Sequence, residues 1–176
     1  MKRGMKAKGA VLGFISIVVI AGFLLGALAQ AAETLKGRSV ATATKDETIA
    51  VNDEPGHHLE LAVYEGLAFF ENGDVAKLRS HSVIDMMPGK SSQAITYNIW
   101  TFDDGSTVVN RSKRLLVPDS SGTYSAKTTS EFVKGTGRFE GIKGTGSATG
   151  RNFPPGEKEA ARVFSDFTWT YTLPGK

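Results

Sequence analysis

The 176-residue chain contains no cysteine. This absence excludes disulfide bonds, thiolate ligands for a metal and a cysteine nucleophile, and it leaves no cysteine that could carry a lipid anchor. A domain of about 145 residues buries roughly two-thirds of the surface of its unfolded chain, so it does not need covalent crosslinks to be stable. The fold must therefore be held together by packing and hydrogen bonds.

Acidic residues are absent before Glu33, whereas four basic residues occupy the first eight positions. An uncharged and mostly apolar stretch then runs over residues 9–32. A basic start, an apolar core and an exit of small residues are typical of a secretory signal peptide. An uncleaved membrane anchor is the alternative, because an uncharged stretch of this length can span a bilayer. We predict that residues 1–31 form a cleaved signal-peptide helix and that residues 32–176 form one exported domain, periplasmic or secreted.

The formal net charge of +3 belongs to this N-terminal segment. Without residues 1–31, the basic residues fall from 21 to 17 against 18 acidic residues, and the net charge becomes −1. Nucleic-acid binding needs a basic face on the folded domain, so the charge balance argues against a nucleic-acid partner. Contact with a membrane is expected only through the N-terminal segment, if that segment is retained.

Long helical periodicity is scarce in the exported part of the chain. Runs of Thr, Val, Ser and aromatic residues are separated by Gly, Asp, Asn and Pro, which favours strands and turns, and several runs alternate with a period of two. After a short tail at 32–36, strands are predicted near 37–45, 57–70, 74–87, 91–103, 106–117, 122–134, 143–151 and 160–173. Eight strands with short connections favour an all-β fold, a single closed antiparallel barrel, because closure removes exposed sheet edges.

A turn at Asp104-Gly105 sets the pairing of two predicted strands. If the turn has two residues, Asn98 pairs with Arg111, and both share a face with Trp100. Polar groups among aromatic residues inside a barrel are typical of a small-ligand site, and an arginine there favours a carboxylate or another anionic head group. The alternative is that the opposite face points inward and Arg111 lies on the surface.

A glycine-rich segment repeats Lys-Gly-Thr-Gly at 134–137 and 143–146. Its spacing fits neither the dinucleotide-binding fingerprint nor a phosphate-binding loop, and the residues that follow are poor helix formers. A structural role is favoured, in which glycines allow a tight connection and Phe139 and Ile142 close one end of the barrel around a single helical turn at 138–142. The residues assigned to this turn are Gly135, Gly137, Phe139, Gly141, Gly144 and Gly146.

The same segment carries a family resemblance. Gly-Thr-Gly-Arg-Phe-Glu-Gly-Ile-Lys-Gly-Thr-Gly-Ser at 135–147, between a Thr/Ser-rich strand and a final aromatic strand, resembles the allene oxide cyclase and dirigent-like barrel superfamily. Exported bacterial proteins of unassigned function belong to the same group. The resemblance covers residues 57–173 and implies an eight-stranded antiparallel barrel with a central apolar cavity. The cyclase's polar pocket residues and the dirigent constellation of Asp and Arg have no counterpart at matching positions, so those activities do not carry over.

Other catalytic or metal-binding patterns are weak. A metal site of His58, Glu60 and His81 would need one particular cross-strand register, and a solvated strand start with a surface histidine is the favoured interpretation. Gly-x-Ser-x-Gly does not occur, so there is no nucleophile elbow. We predict no metal site and no cofactor, and we assign no catalytic residue.

The sequence therefore predicts an exported barrel that binds a small hydrophobic or amphipathic ligand in its interior. Two alternatives stay open: a cyclase or isomerase that uses the same cavity, and a non-catalytic structural or interaction module with a filled barrel. A homo-oligomer is compatible with each of these. An outer-membrane barrel is disfavoured because basic residues such as Lys77 and Arg79 interrupt strands that would need an apolar lipid-facing side.

Overall fold

A computed structural model of the protein describes residues 31–175. The predicted signal-peptide helix lies outside the described residues, apart from residue 31. The described part contains eight strands and one short 3₁₀ helix at Gly137–Phe139. The strands are β1 (Glu33–Ala50), β2 (His58–Phe70), β3 (Val75–Met86), β4 (Ser92–Phe102), β5 (Thr107–Pro118), β6 (Tyr124–Gly135), β7 (Lys143–Phe153) and β8 (Arg162–Thr172). Because β1 begins at Glu33, it takes in most of the stretch predicted to be a tail.

The eight strands form a closed antiparallel barrel, as predicted. Each strand pairs with its neighbours in sequence, and β8 pairs with β1 to complete the ring. Closure leaves no unpaired strand edge, so nearly all backbone donors and acceptors of the strands are used within the sheet. No helix among residues 31–175 is long and apolar enough to cross a bilayer.

Side chains alternate between the interior and the surface along the strands. In β4, Ala94, Trp100 and Phe102 are buried, whereas Ile95 and Tyr97 are exposed. This is the period of two that the sequence shows, and it confirms that the face of β4 carrying Trp100 points inward. Each residue of a strand therefore faces either the interior of the barrel or the solvent.

The turn between β4 and β5 is one residue longer than predicted. It comprises Asp103, Asp104 and Gly105, and the Phe102 N–H donates to the Ser106 carbonyl oxygen at 2.9 Å. Gly105 has a φ of 80°, which suits glycine, and the Asp104 carboxylate accepts a hydrogen bond from the Ser106 N–H at 2.9 Å. A three-residue hairpin loop with glycine in the left-handed region is a common alternative to the two-residue turn.

The longer turn shifts the register by one residue, and the predicted pairing of Asn98 with Arg111 is wrong. Asn98 pairs with Asn110, and Arg111 lies opposite Tyr97 on the outer face. A shift of one residue moves every side chain of a strand to the other face of the sheet. Arg111 accordingly ion-pairs across the outer surface with Glu131, at 3.5 Å.

An aromatic cluster fills one end of the barrel. The Phe70 ring lies 5.1–6.1 Å from the rings of Trp100, Phe102, Phe167 and Trp169, measured between centroids. Most of these pairs are edge-to-face, the geometry that the quadrupoles of the rings favour. Large rings from β2, β4 and β8 therefore make this end a packed core.

The glycine-rich turn closes the same end. Phe139, the last residue of the 3₁₀ helix, and Ile142, three residues after it, are buried within the aromatic cluster. A Cβ atom on Gly135 would lie 1.9 Å from the Phe139 carbonyl oxygen, so the backbone can approach this closely only without a side chain. The segment acts as a plug that the chain inserts between β6 and β7.

Arg138 holds the plug against the barrel. Its guanidinium carbon lies 4.8 Å from the centre of the Phe102 ring and 4.9 Å from that of Phe139. Its Nη2 donates to Asp74 at 2.8 Å, and its Nε lies 3.4 Å from an Asp104 carboxylate oxygen. One side chain thus ties the plug to the turn before β3 and to the turn after β4.

We expect Arg138→Met to lower the free energy of unfolding by about 1–2 kcal/mol, because it removes both the stacked cation and a charge-assisted hydrogen bond. Chemical denaturation measures the change. Arg79→Met is the matched control, since Arg79 pairs with Glu65 on the exposed outer surface at 3.4 Å and should cost less than about 0.5 kcal/mol. Equal losses in the two variants would contradict the role assigned to Arg138.

At the opposite end, His57 clamps the loop between β1 and β2. Its Nε2 contacts Asp85 Oδ1 of β3 at 2.8 Å, and its Nδ1 contacts Asp53 Oδ1 of the loop at 2.5 Å. Only the protonated imidazole can donate to both carboxylates at once. The hydrogen bonds to Asp85 and Asp53 therefore raise the pKa of His57 above its ordinary value of 6.5.

Because the pKa of His57 is raised, the stability that His57 contributes depends on pH. Because His57 binds its proton more tightly in the folded state, its contribution to stability is present below about pH 6.5 and is lost as the pH rises through the folded-state pKa. NMR titration of His57 should give a pKa above 6.5, and Asp85→Asn should lower it. Asp103→Asn, at the other end of the barrel, should leave it unchanged. An equal response to both substitutions would exclude the clamp.

Candidate functional site

A cavity of about 80 Å³ lies inside the barrel, between the strands. The aromatic cluster supplies part of its wall through Trp100, Phe167 and Trp169. The rest of the wall is small and polar. It includes Ser39, Ser80, Asn98, Asn110, Ser112, Thr128, Ser130, Ser147 and Ser165.

A row of hydrogen-bonded side chains crosses three strands of this wall. The Ser80 hydroxyl donates to Asn98 Oδ1 at 2.7 Å, and Asn98 Nδ2 donates to Asn110 Oδ1 at 2.8 Å and to the Ser112 hydroxyl at 2.9 Å. The register places Ser80, Asn98 and Asn110 directly opposite one another on β3, β4 and β5. Because these groups bond one another, the row is a fixed surface with its amide and hydroxyl groups already oriented.

Trp100 contributes a hydrogen-bond donor that has no acceptor among the described residues. Its Nε1 is buried, and the side chain lines the cavity. A buried donor without a partner costs about 1–3 kcal/mol. Asn98 and Trp100 thus lie in the cavity wall, as the sequence predicted, whereas Arg111 does not.

Arg114 occupies the interior position that the sequence assigned to Arg111. It lies on the inner face of β5, opposite Ala94 of β4, and it lines the cavity. Its Nη2 donates to Asn152 Oδ1 at 2.7 Å. Burial lowers the pKa of the guanidinium below its usual value, although arginine remains charged at neutral pH.

Tyr64 is a second titratable group in the cavity wall. Burial, followed by the charge of Glu60, raises its pKa to about 12, so its phenol stays protonated at neutral pH and can donate a hydrogen bond. Glu60 also lies on the inner face of β2, and burial together with the charge of Asp46 raises the pKa of Glu60.

The other residues that the sequence analysis considered do not come together in one site. His58 and Glu60 lie on the inner face of β2, whereas His81 is exposed on the outer face of β3. Within residues 31–175 there is no group of three side chains able to hold a metal ion. The glycine-rich residues 135–146 belong to the closed end and contribute nothing to the cavity wall.

Sequence reasoning missed Arg114, although its signal is present. Val108, Asn110, Ser112, Arg114 and Leu116 alternate along β5 and share one face. With a three-residue turn before β5, this face points inward. The choice between the two arginines therefore depended on one residue of turn length.

The barrel is similar to solved structures of bacterial proteins. One is a protein of unknown function from Clostridium acetobutylicum, with a TM-score of 0.56, 12% identity, and coverage of 80% of this chain and 97% of that one. Another is a conserved protein of unknown function from Rhodopseudomonas palustris, with a TM-score of 0.54, 14% identity, and coverage of 80% and 98%. A third is a beta-barrel like protein from Acinetobacter baumannii, with a TM-score of 0.53, 13% identity, and coverage of 81% and 97%.

Other comparisons add little. Dirigent proteins described as pterocarpan synthases also match, but their TM-scores of 0.45 and 0.40 are too low to carry an argument. No family model and no curated protein matches the chain. At identities of 12–14% the similarity concerns the fold alone. The eight-stranded closed barrel that the family resemblance implied is confirmed as the fold.

Proposed function

We propose that the interior of the barrel binds a small hydrophobic or amphipathic molecule. The observation that carries this proposal is the buried Trp100 Nε1, a donor in the wall of a cavity with no acceptor within residues 31–175. An acceptor atom of a ligand would satisfy this donor and offset the cost of its burial. The neighbouring rings of Phe167 and Trp169 offer apolar contact to the rest of the molecule.

The size of the cavity limits the ligand. Its volume of about 80 Å³ is well below the roughly 300–1,000 Å³ of pockets for drug-sized molecules. The part of the ligand that enters the barrel is therefore small, of the order of a short chain, since a single benzene ring occupies a cavity of about 150 Å³. The same space argues against the filled-module alternative, in which side chains would occupy the whole interior.

The titratable side chains of the cavity wall favour binding over the cyclase or isomerase alternative. The titratable side chains that line the cavity, within the described residues, are Tyr64 and Arg114. A general base works best when its pKa lies near the operating pH, and the pKa of Tyr64 is about 12. Neither group accepts a proton readily at neutral pH, whereas both can donate hydrogen bonds to a bound molecule.

Native mass spectrometry of the purified protein tests the proposal. We expect an additional mass of a small molecule on the folded protein that is absent after denaturation. Ala148→Leu should abolish it, because Ala148 lines the cavity and the larger side chain would occupy the space. Ala50→Leu, at an exposed position, is the matched control and should retain the mass. Retention of the mass in Ala148→Leu would contradict an interior site.

We also propose that the protein acts after export. Support comes from the basic and then apolar segment at residues 1–31 and from the start of β1 at Glu33, since removal of residues 1–31 would leave every strand intact. N-terminal sequencing of the protein produced from the full-length chain should give a mature terminus at Ala32 or, by the neighbouring small-residue pattern, at Gln30. Recovery of the intact terminus in a membrane fraction would favour the anchor instead.

A further inference from the structure

We infer that Arg114 binds the carboxylate of a small monocarboxylic acid inside the barrel. This inference deepens the proposed function and rests on it, because it specifies the chemical class of the interior ligand. The site comprises the guanidinium of Arg114 and the two further donors of the same cavity, the Tyr64 hydroxyl and the Trp100 Nε1.

Arg114 differs from the other arginines in its partners. Residues 31–175 contain seven arginines, and six of them form salt bridges with carboxylates. Arg114 is the exception among the described residues, and it is the one that lines the interior cavity. The one guanidinium without a carboxylate partner among the described residues is therefore part-buried and lines the interior of the barrel.

The guanidinium also has unused hydrogen-bonding capacity. Arginine carries five N–H donors in a planar fork, and the hydrogen bond from Arg114 within the described part of the protein goes to the neutral oxygen of Asn152. A neutral acceptor does not compensate a positive charge, and a charge that is partly removed from water without a counter-ion is unfavourable. A planar carboxylate matches the fork and can accept two parallel hydrogen bonds.

Glu60 does not supply the missing charge. It lies on the inner face of β2 but forms no salt bridge with Arg114 among the described residues. Burial, followed by the charge of Asp46, raises the pKa of Glu60. The hydroxyl and amide groups of the wall carry no formal charge, so an anionic ligand would supply the counter-ion that the described residues do not.

The apolar part of the ligand follows from the rest of the cavity. Trp100, Phe167 and Trp169 present aromatic surface to the same space that Arg114 lines. With a volume of about 80 Å³, the cavity accepts only a short chain beside the carboxylate, since a single benzene ring occupies a cavity of about 150 Å³. Propionate has these features, and propionamide has the same shape without the charge, so the two form a matched pair of probes.

The first test compares the ligand-free stability of two arginine variants. Arg114→Met should leave the melting temperature unchanged or raise it, because it removes an uncompensated buried charge and keeps an extended side chain. Arg138→Met should lower it, because Arg138 is paired with Asp74 and Asp104. A decrease in the melting temperature of Arg114→Met as large as that of Arg138→Met would assign Arg114 a structural partner and overturn the inference.

The second test measures binding of propionate and propionamide by calorimetry at constant ionic strength. The wild-type protein should bind propionate about tenfold more tightly than propionamide, the difference expected for a charge-assisted hydrogen bond. Arg114→Met should abolish this preference, Arg114→Lys should keep part of it, and Arg111→Met, on the outer face, should leave it unchanged. The comparison of probes in the wild-type protein is informative even if a variant fails to fold.

The outcomes separate this inference from the proposed function. Equal binding of propionate and propionamide, or a propionate preference that persists in Arg114→Met, would overturn the role of Arg114 and leave interior binding intact. No binding of either probe, in a protein that also carries no additional mass in native mass spectrometry, would overturn both.

Discussion

The interior of this protein depends on the length of a single turn. Asp103, Asp104 and Gly105 separate β4 from β5, and the hydrogen bond from Phe102 to Ser106 fixes their register. In a closed barrel, a shift of one residue in the register of a strand would move every side chain of that strand to the opposite face. The turn thereby places Asn110, Ser112 and Arg114 inside and leaves Arg111 outside. The chemistry of the cavity is thus set by a loop that does not touch it.

The closed end and the middle of the barrel differ in what they contribute to the protein. One end is sealed by rings and by the glycine-rich plug, in which Arg138 is stacked, hydrogen-bonded and neutralised by Asp74 and Asp104. This end supplies most of the buried apolar surface and therefore most of the hydrophobic stabilisation. The middle of the barrel contributes less apolar burial, because serine, threonine and asparagine replace large side chains there. A stable closed end permits a polar interior that a domain of this size could not otherwise sustain.

The parts of the structure that local pattern determines could be predicted from the sequence. Alternation in β4 placed Asn98 and Trp100 on one face, which the structure shows to be the inner one, and the eight strands and closure followed from strand length and turn spacing. The register of β5 could not be predicted, because Asp104-Gly105 suits both a two-residue and a three-residue turn. The early start of β1 was also missed, since Glu33–Lys36 carry little strand signal and are held by pairing with β8, more than a hundred residues away. Long-range pairing and turn length are the features that local pattern leaves undetermined.

Arg114 and Arg138 show how the same side chain can serve stability in one place and oppose it in another. Both are held near aromatic rings within the barrel, but Arg138 faces two carboxylates and Arg114 faces none among the described residues. A part-buried charge without a counter-ion gives little stability to a fold, so a role in binding accounts for Arg114 better than a role in folding. A residue that breaks a local rule of packing without a compensating contact in the chain is most economically explained by a partner that binds there. The position of Arg114 among the donors of Tyr64 and Trp100 gives that partner its chemistry: an acceptor-rich, negatively charged group on a small apolar body.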